Sequence, residues 1–588
     1  MNRLQSQLSL GALLVASVCL SGCGAGSLGP NDNENSSDGK NGDGNSTDGN
    51  NENSLITVDS EEKSLSDCVG VSCPSGSRRG LVATCESSNV GSRLLRRLQK
   101  DELQNTLEDI FPEVVADWKG VELTQDPVSV IGFSTDAKVL VVNGPTFKNM
   151  LDTAESLSAL VAAKANLEKA LPCSVGTADA SCTEEFINRY GLRLFRRPLS
   201  QGEVQRYVEL QGSISAKSDY PTGIRWMLSA MLQSPHAFYR SEIGDLKSGG
   251  KDLTQYEVAT NLAYTYSGTT PSPELLEKAK AGELKGAESL QALANQLLDE
   301  PENRASIFKF FREWLGYARI INQSRATLES FASEISPLLV EETDIFLSDQ
   351  MFDGGTIQSM MLSDSTRLNG ALAKFYGYGD ENAQAEFVTT KRPVDKGVGI
   401  LAQASLLAST AHQDETSPTL RGLRFMESFL CVDRPKPPAK VPSLAEAKGV
   451  ETAKTTRQKY ELHHGVGECA SCHRVFDPYG FTFEQFDETG RYRADEDGEP
   501  LDTVATVNIP GADSVELSGL EETAQLVDKY DVIENCLTGL MSTYMLSGGG
   551  GQNCLSEKSR ALAVSGDITL REFAVSLAGS THFSGRSK

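Results

Sequence analysis

Residues 94–112 of the chain read LLRRLQKDELQNTLEDIFP, and their apolar side chains recur at intervals of three and four until Pro112. This spacing places the apolar residues on one face of an α-helix, and the proline is a typical stop. The same periodicity continues through most of the chain, whereas alternation typical of strands is confined to residues 139–142 and 503–507. The sequence therefore predicts a mainly α protein built from several helical modules.

Several helix N-termini can be predicted from capping patterns. Ser200, Thr254 and Thr569 are each followed three residues later by a glutamate, which is the spacing of a capping box. Ser272 and Ser417 each precede a proline, the residue favoured at the first helical position. These five positions predict five helix starts.

Length and charge restrict the class of protein. The chain has 588 residues, with 55 Lys and Arg against 80 Asp and Glu, and a formal charge of −25. This length predicts several domains. The acidic balance argues against nucleic-acid binding, since no basic stripe is present to contact phosphates. A partner attracted by charge should be basic, and a basic redox protein is one candidate.

The N-terminus has the features of a secretory signal, because Arg3 precedes an apolar stretch from Leu8 to Leu20. This stretch leads into Leu-Ser-Gly-Cys at residues 20–23, which resembles a bacterial lipobox. The resemblance implies cleavage before Cys23 and lipidation of its thiol. Gly24, rather than Asp, fits outer-membrane sorting of the lipoproteins that this sequence resembles. We therefore predict an exported outer-membrane lipoprotein, held to the periplasmic or cell-surface face by its lipid. An ordinary secretory signal with an incidental Cys23 is the alternative.

The 12 cysteines suggest disulfides, because an exported protein meets an oxidising compartment. Cys173 with Cys182, and Cys536 with Cys554, would close short local loops and are the predicted pairs. The sequence does not fix the partners of four further cysteines: Cys68, Cys73, Cys85 and Cys431. A free buried thiol is the alternative for each.

Residues 469–473 read Cys-Ala-Ser-Cys-His, the C-x-x-C-H pattern of c-type haem attachment. On a short helix the two sulfurs reach the vinyl groups of the haem, and the adjacent histidine ligates the iron. The pattern predicts one covalent haem c, bound by Cys469 and Cys472, with His473 as the proximal iron ligand. A redox disulfide between the two cysteines is one alternative. A zinc site completed by His463 and His464 is another.

The sixth ligand of such a haem decides its chemistry. Met541 and Met545 lie on a predicted helix and are candidate distal ligands, although methionine on a helix is as often a core residue. A six-coordinate iron would transfer electrons, whereas a five-coordinate iron could activate peroxide or oxygen. Whether the chain is an enzyme therefore stays open, and an enzyme would be a haem-dependent oxidoreductase of unknown substrate.

The segment after the motif includes Asp477-Pro478, Gly480-Phe481, Glu484, Phe486-Asp487 and Gly490 to Arg493. Together with the motif, it resembles the C-terminal part of multidomain, cytochrome-associated exported proteins known from Planctomycetes and myxobacteria, whose function is largely unknown. Earlier segments resemble the preceding modules of these proteins in order: residues 96–109, 195–203, 234–242 and 401–422. The resemblance covers residues 91–588 and implies helical modules followed by a cytochrome c-like domain. The family's C-terminal Tyr-Ala-Leu-Gly-Arg is here Tyr-Met-Leu-Ser-Gly at residues 544–548, so its arginine is missing.

Two local features of the last domain can also be predicted. Residues 477–480 are expected to form the turn that leaves the haem helix, because they contain Pro478 and Gly480. Arg491 and Arg493 could contact haem propionates, and surface ion pairs with Glu484 or Asp487 are the alternative.

The predicted organisation has seven parts. They are a lipoprotein signal peptide (1–22), a flexible acidic tether rich in Asn, Gly and Ser (23–67), an N-terminal Cys-containing helical module (68–125), a second helical module (126–245), a central helical domain (246–385), a further helical module (386–454) and a cytochrome c-like haem domain (455–588). The predicted function is periplasmic or surface electron transfer. The rival interpretation is a non-redox surface scaffold that binds a polymer or a protein, because the helical modules are longer than a carrier needs.

Overall fold

The computed structural model describes residues 93–121, 123–128, 132–245, 252–383, 385–435, 452–464, 469–546 and 568–586. These residues form 23 α-helices and eight short strands, so the fold is mainly α, as predicted. Cys23, Cys68, Cys73, Cys85 and Cys554 lie outside the described residues, as do the predicted signal peptide and tether.

The α-helices are α1 (Lys100–Ile110), α2 (Gly144–Val161), α3 (Lys164–Ala170), α4 (Ala180–Phe195), α5 (Gln201–Ser215), α6 (Tyr220–Leu232), α7 (Pro235–Phe238), α8 (Gln255–Tyr266), α9 (Pro273–Ala281), α10 (Ala287–Asp299), α11 (Ala305–Leu315), α12 (Ser336–Phe352), α13 (Ile357–Leu362), α14 (Gly370–Tyr376), α15 (Ala404–Ala408), α16 (Pro418–Phe429), α17 (Thr456–His464), α18 (Ala470–Phe481), α19 (Gly519–Ala524), α20 (Leu526–Lys529), α21 (Val532–Met545), α22 (Leu570–Ser576) and α23 (Thr581–Ser584). Short 3-10 helices cover Pro112–Asp117, Val175–Thr177, Pro301–Arg304, Tyr317–Ile320, Ile400–Ala402 and Leu577–Gly579, and a π-helical turn covers Phe331–Ile335.

The strands form four antiparallel two-stranded ribbons. They are β1 (Leu94–Arg97) with β2 (Tyr239–Glu242), β3 (Ser365–Leu368) with β4 (Val388–Lys391), β5 (Asp495–Glu496) with β6 (Glu499–Pro500), and β7 (Val504–Asn508) with β8 (Ser514–Ser518). The predicted strand at 503–507 is thus confirmed to within a residue. Residues 139–142, also predicted as a strand, adopt no regular secondary structure.

The opening stretch of the sequence requires a correction. Leu94 and Leu95 belong to a strand rather than to the predicted helix, which begins only at Lys100. Residues 94–97 pair with residues 239–242, and this long-range ladder overrides the local helical spacing. From Leu103 onward the predicted apolar face is buried, and the helix ends before Pro112 as expected.

All five predicted helix starts are confirmed. Ser200, Thr254 and Thr569 each form a reciprocal capping box with the glutamate three residues later. Ser272 and Ser417 accept hydrogen bonds at the N-termini of α9 and α16, each with proline in the first turn. Capping depends on a few neighbouring residues, so the sequence alone determines it.

The chain forms two compact units. The first comprises the described residues of 110–122 and 144–238, and its helices α2 to α7 bury an apolar face that includes Leu157, Phe186 and Met227. The second comprises the other described residues. Its core is one continuous cluster of apolar side chains between Phe133 and Phe583 in the sequence. Within the described ranges, no helix is both long enough and apolar enough to span a bilayer.

Two disulfides occur among the described residues. Cys173 is bonded to Cys182 in the first unit, the pair expected from the sequence. Cys536 is bonded to Cys431, with a Cα–Cα distance of 5.3 Å, and not to Cys554 as predicted. The sequence favoured the shorter loop, but α16 and α21 pack together and bring the more distant cysteine to Cys536.

Candidate functional site

The Cys-x-x-Cys-His motif lies at the start of α18. Cys469 occupies the N-cap position, and the backbone N–H of His473 donates to its carbonyl oxygen at 3.1 Å. Positions i, i+3 and i+4 share one helical face, so Cys469, Cys472 and His473 are directed to the same side. Both cysteines are half-buried free thiols, and Cys472 packs against the core of the second unit. The spacing thus places the three groups together at the start of α18, and the attachment of a haem to them stays a prediction.

The imidazole of His473 is held by a carboxylate on its own helix. Its Nδ1 lies 3.1 Å from Oδ2 of Asp477, one helical turn further on, and 3.2 Å from Oδ1. An imidazole that binds a metal through one nitrogen commonly donates its other N–H to such a group, which fixes the orientation of the ring. With Nδ1 directed to Asp477, Nε2 is the nitrogen of His473 that can ligate a metal.

Asp477 is buried and hydrogen-bonded from three sides. Besides His473, it accepts from Thr419 Oγ1 at 2.6 Å and faces His464 Nδ1 at 2.8 Å. Burial alone would raise the pKa of Asp477, but the hydrogen bonds from His464, His473 and Thr419 outweigh it and hold this pKa below its ordinary value. The carboxylate is therefore charged over the physiological pH range and favours protonated Nδ1 atoms beside it.

His464, the last residue of α17, completes a cluster that could hold a metal ion. Its ring centroid lies 3.5 Å from that of His473. One ligand atom each from His464, His473 and Asp477 lie within 4.8 Å of one another. A zinc site completed by His463 and His464 was the predicted alternative to haem. Of these two histidines, only His464 belongs to this cluster. His463 instead stacks edge-on against His464, with ring centroids 4.6 Å apart.

The site is positioned by the close approach of α16 and α18. A Cβ atom added to Gly422 would lie 1.9 Å from the carbonyl oxygen of Phe476, and one added to Gly480 would lie 1.8 Å from that of Pro418. Only glycine leaves room for this contact, which brings Thr419 of α16 against Asp477. Residues 477–480 lie inside α18, which continues to Phe481. The turn predicted at these residues is therefore wrong.

A buried ion pair fastens α16 to the segment that follows α18. Arg421 donates to Glu484 Oε1 at 3.1 Å and to the carbonyl oxygens of Phe483, Phe486 and Asp487. Arg493 also contacts Glu484, and Thr416 donates to it. We call Arg421, Glu484, Arg493 and Thr416 the Arg421 cluster. Its hydrogen bonds join α16 to the segment that follows α18, so it supports the site structurally.

Arg491 and Arg493, the two candidate contacts of haem propionates, form the ion pairs that were given as the alternative. Arg491 Nε lies 3.3 Å from Oδ2 of Asp487, and Arg493 contacts Glu484.

The candidate distal ligands lie on α21. Met541 is a buried core residue, and Met545 lines a cavity whose lining contains none of the motif residues. The contacts described for His473 are with His464, Thr419, Phe476 and Asp477. A distal role for either methionine stays a prediction.

Four domain families, each described as a protein of unknown function, match the chain. They are PSD3 (DUF1587) at residues 96–163, PSD5 (DUF1595) at 182–242, PSD4 (DUF1592) at 253–378 and PSCyt3 (DUF1588) at 397–496. All four are of the planctomycete cytochrome-associated type. The chain is a multidomain protein of this type. No curated protein and no solved structure gives a significant match to it.

In this cytochrome-associated protein, the whole candidate site lies within the PSCyt3 segment. Residues 397–496 contain the motif, His464, Asp477 and the Arg421 cluster. Sequence reasoning assigned no role to Thr419 and placed Asp477 in a turn. The spacing of four residues between His473 and Asp477 would have revealed their contact if α18 had been predicted to continue through Pro478.

Proposed function

We propose that this protein carries one covalent haem c and acts in electron transfer outside the cytoplasm. Cys469 and Cys472 would bind the haem, and His473 would be its proximal ligand. The observation that carries the proposal is the presentation of two free thiols and His473 on one helical face, with Nδ1 of His473 engaged by Asp477. The cytochrome-associated type of the matching domains supports a cytochrome-related role.

The residues present suit such a group. Addition of each thiol S–H across a vinyl double bond forms a thioether and needs no oxidant. When bound, the haem supplies a one-electron couple at its iron. Asp477 orients the ring of His473 and strengthens Nε2 as a ligand of the iron, because a carboxylate that accepts from Nδ1–H raises the basicity of the imidazole. Thr419 in turn orients Asp477 by its hydrogen bond of 2.6 Å.

The location in the cell is part of the proposal. Lipidation of Cys23 would anchor the chain to the outer membrane, and the acidic segment 24–67 would act as a tether. The formal charge of −25 would favour a basic electron-transfer partner. Radiolabelled palmitate should be incorporated into the wild-type protein and not into a Cys23→Ala variant. Equal labelling of the two would contradict the anchor.

The decisive experiment is a pyridine-haemochrome spectrum of the full chain, produced with its signal peptide in a host that matures c-type cytochromes. We expect one c-type haem per chain, lost in Cys472→Ala and retained in Ser471→Ala, the matched control between the cysteines. Asp477→Asn should keep the haem but alter its reduction potential. Carbon monoxide binding to the reduced protein would identify an open distal side. A colourless wild-type protein would overturn the proposal.

A second candidate is a non-haem metal site, favoured by the 4.8 Å cluster of His464, His473 and Asp477. Neutral imidazoles and a carboxylate are typical zinc ligands. Metal analysis separates the candidates: a colourless protein with bound zinc that is lost in His464→Ala would support this site, whereas haem attachment needs only the motif. A colourless and metal-free protein would instead support the scaffold that binds a polymer or a protein.

A further inference from the structure

The second unit contains a cavity of about 680 Å³ that is separate from the cysteine motif. Its lining includes side chains of β1, β2, α1, α8 and α11 and the end of α21. The volume lies within the range of about 300–1,000 Å³ that small-molecule sites occupy. Most of the lining residues are polar or charged and offer hydrogen bonds to a ligand, while their aliphatic parts and Phe308, Ala305 and Met545 supply apolar surface.

Two arginines face each other across the β1–β2 ribbon at this cavity. Arg96 pairs directly with Arg240 in the antiparallel register, and the two residues are only 4% and 2% exposed. Like charges directly opposite each other on neighbouring strands are destabilising, and burial strengthens their repulsion. The pair therefore costs the fold stability, which points to a role other than holding the ribbon together.

The carboxylates around these arginines do not balance them. Arg240 Nη1 lies 3.2 Å from Glu102, and its Nη2 donates to the neutral Asn261 at 3.1 Å. Arg586 Nε lies 2.9 Å from Glu242. Arg96 only approaches Glu242, at 3.7 Å, and its buried Nε finds no acceptor in the described part of the chain. Burial, and next the charge of Arg240, lower the pKa of Arg96 to about 10. The five residues of this Arg96 cluster (Arg96, Arg240, Arg586, Glu102 and Glu242) thus carry one positive charge in excess, while Glu302 and Glu313 belong to the rest of the cavity lining.

Other lining residues offer hydrogen-bond acceptors. Glu313 accepts from the backbone N–H of Ser134 at 2.9 Å, and a carboxylate has further acceptor positions. Asp101 is paired with Lys309 at 2.9 Å and is half exposed. Burial raises the pKa of Tyr544, and the charges of Glu313, Glu102 and Asp101 raise it further. This part of the cavity therefore favours ligand groups that donate hydrogen bonds.

We propose that the cavity binds a small carboxylate that also carries hydrogen-bond donors. Arg96 and Arg240 would bind the carboxylate, and Glu313 and Asp101 would accept from hydroxyl or ammonium groups elsewhere on the ligand. A carboxylate neutralises the charge left by the Arg96 cluster, and an arginine fork matches its two oxygens. The proposed haem plays no part in this site, so the two proposals can fail separately.

Isothermal titration of the full chain with matched probes tests the proposal. D-Glucuronate carries a carboxylate and hydroxyls, D-glucose lacks the carboxylate, and hexanoate lacks the donors. 6-Aminohexanoate replaces hydroxyls by an ammonium group. We expect glucuronate or 6-aminohexanoate to bind and to protect the chain from thermal unfolding, while glucose and hexanoate do neither. The two binding probes distinguish a hydroxy acid from an amino acid.

Variants then connect the binding to the arginines. Arg96→Met should weaken binding by about 10- to 100-fold, as expected for loss of a hydrogen bond to a charged group. Arg434→Met removes the same charge from an exposed pair with Glu427 and should bind as wild type. If Arg96→Met does not fold, Arg96→Lys keeps the charge without the fork and should bind more weakly. Absence of binding by both donor-bearing carboxylates, or equal affinity in the Arg96 variants, would overturn the proposal.

Discussion

The Arg421 cluster and the Arg96 cluster both bury arginines beside glutamates, but the hydrogen bonds of the two arginines that name them differ. Arg421 donates to Glu484 and to three backbone carbonyl oxygens. Arg96 instead lies opposite another arginine and reaches its nearest described carboxylate only at 3.7 Å. The Nε of both arginines lacks an acceptor among the described residues, so the difference lies in the terminal nitrogens, which are hydrogen-bonded in Arg421 and not in Arg96. Buried charges with such bonds hold a structure in one arrangement, whereas a charge left over beside a cavity attracts a ligand. Burial of an arginine alone therefore does not reveal its role.

The largest expected effect comes from removing the structural arginine. Arg421→Met leaves Glu484 without its main partner, and both side chains are only 1% exposed. We expect a loss of about 3–5 kcal/mol in the free energy of unfolding, because an unpaired buried charge remains. Urea denaturation followed by circular dichroism measures it. Arg434→Met, in an exposed pair, should cost at most about 1 kcal/mol. A similar small loss for Arg421→Met would remove the distinction between the clusters.

Glu242→Gln should cost about 2–3 kcal/mol at neutral pH, because it weakens charged hydrogen bonds from Arg586. Burial alone would raise the pKa of Glu242, but Arg586, Arg96 and Arg240 outweigh it and hold this pKa below its ordinary value of 4.5. The charged carboxylate thus stabilises the fold above pH 4.5 and loses this contribution as the pH falls through the lowered pKa.

The measurement is the difference in unfolding free energy between wild type and Glu242→Gln at pH 7 and again at pH 3. We expect the difference to shrink at the lower pH. Glu427→Gln, at an exposed ion pair, is the matched control and should show little difference at either pH. A difference that grows on acidification would show that the pKa of Glu242 is raised rather than lowered.

The smallest expected effect concerns the close contact between α16 and α18. Gly422→Ala would place a Cβ 1.9 Å from the carbonyl oxygen of Phe476, so α16 and α18 must separate at a cost of about 1–3 kcal/mol. Gly539→Ala, in α21, meets nothing within 4 Å and should instead stabilise the chain by about 0.5–1 kcal/mol. Thermal unfolding of the two variants compares them, and equal shifts would argue against a close helix contact.

Sequence reasoning succeeded where the physical cause is local. Capping at Ser200 and Thr254 depends on one residue and the glutamate three positions later, and both boxes form. The mainly helical class follows in the same way from apolar spacing. The placement of the three motif residues on one helical face also follows from their spacing alone.

It failed where a distant partner decides the structure. Leu94 is in a strand because Glu242 lies opposite it, and Cys536 is bonded to Cys431 across 105 residues. Asp477 was assigned to a turn because it precedes a proline. It lies instead inside α18, where it contacts Thr419 of α16. The Arg96–Arg240 pair was equally invisible, because only the strand register brings the two side chains together.

The disulfide between Cys431 and Cys536 has a consequence for biogenesis. Cys469 and Cys472 lie between its two half-cystines in the chain and are free thiols in the folded protein. In the proposed exported protein, the segment from Cys431 to Cys536 presents four cysteines to the oxidising machinery, of which the outer two must be joined and the inner two left reduced. Among these four, a catalyst that joins cysteines in their order of emergence would pair Cys431 with Cys469 and prevent both the native disulfide and the capture of the inner thiols. Maturation of the proposed haem protein would thus require either disulfide isomerisation or early capture of the inner thiols, and the yield of the folded chain with its Cys431–Cys536 disulfide should depend on the thiol–disulfide enzymes of the host.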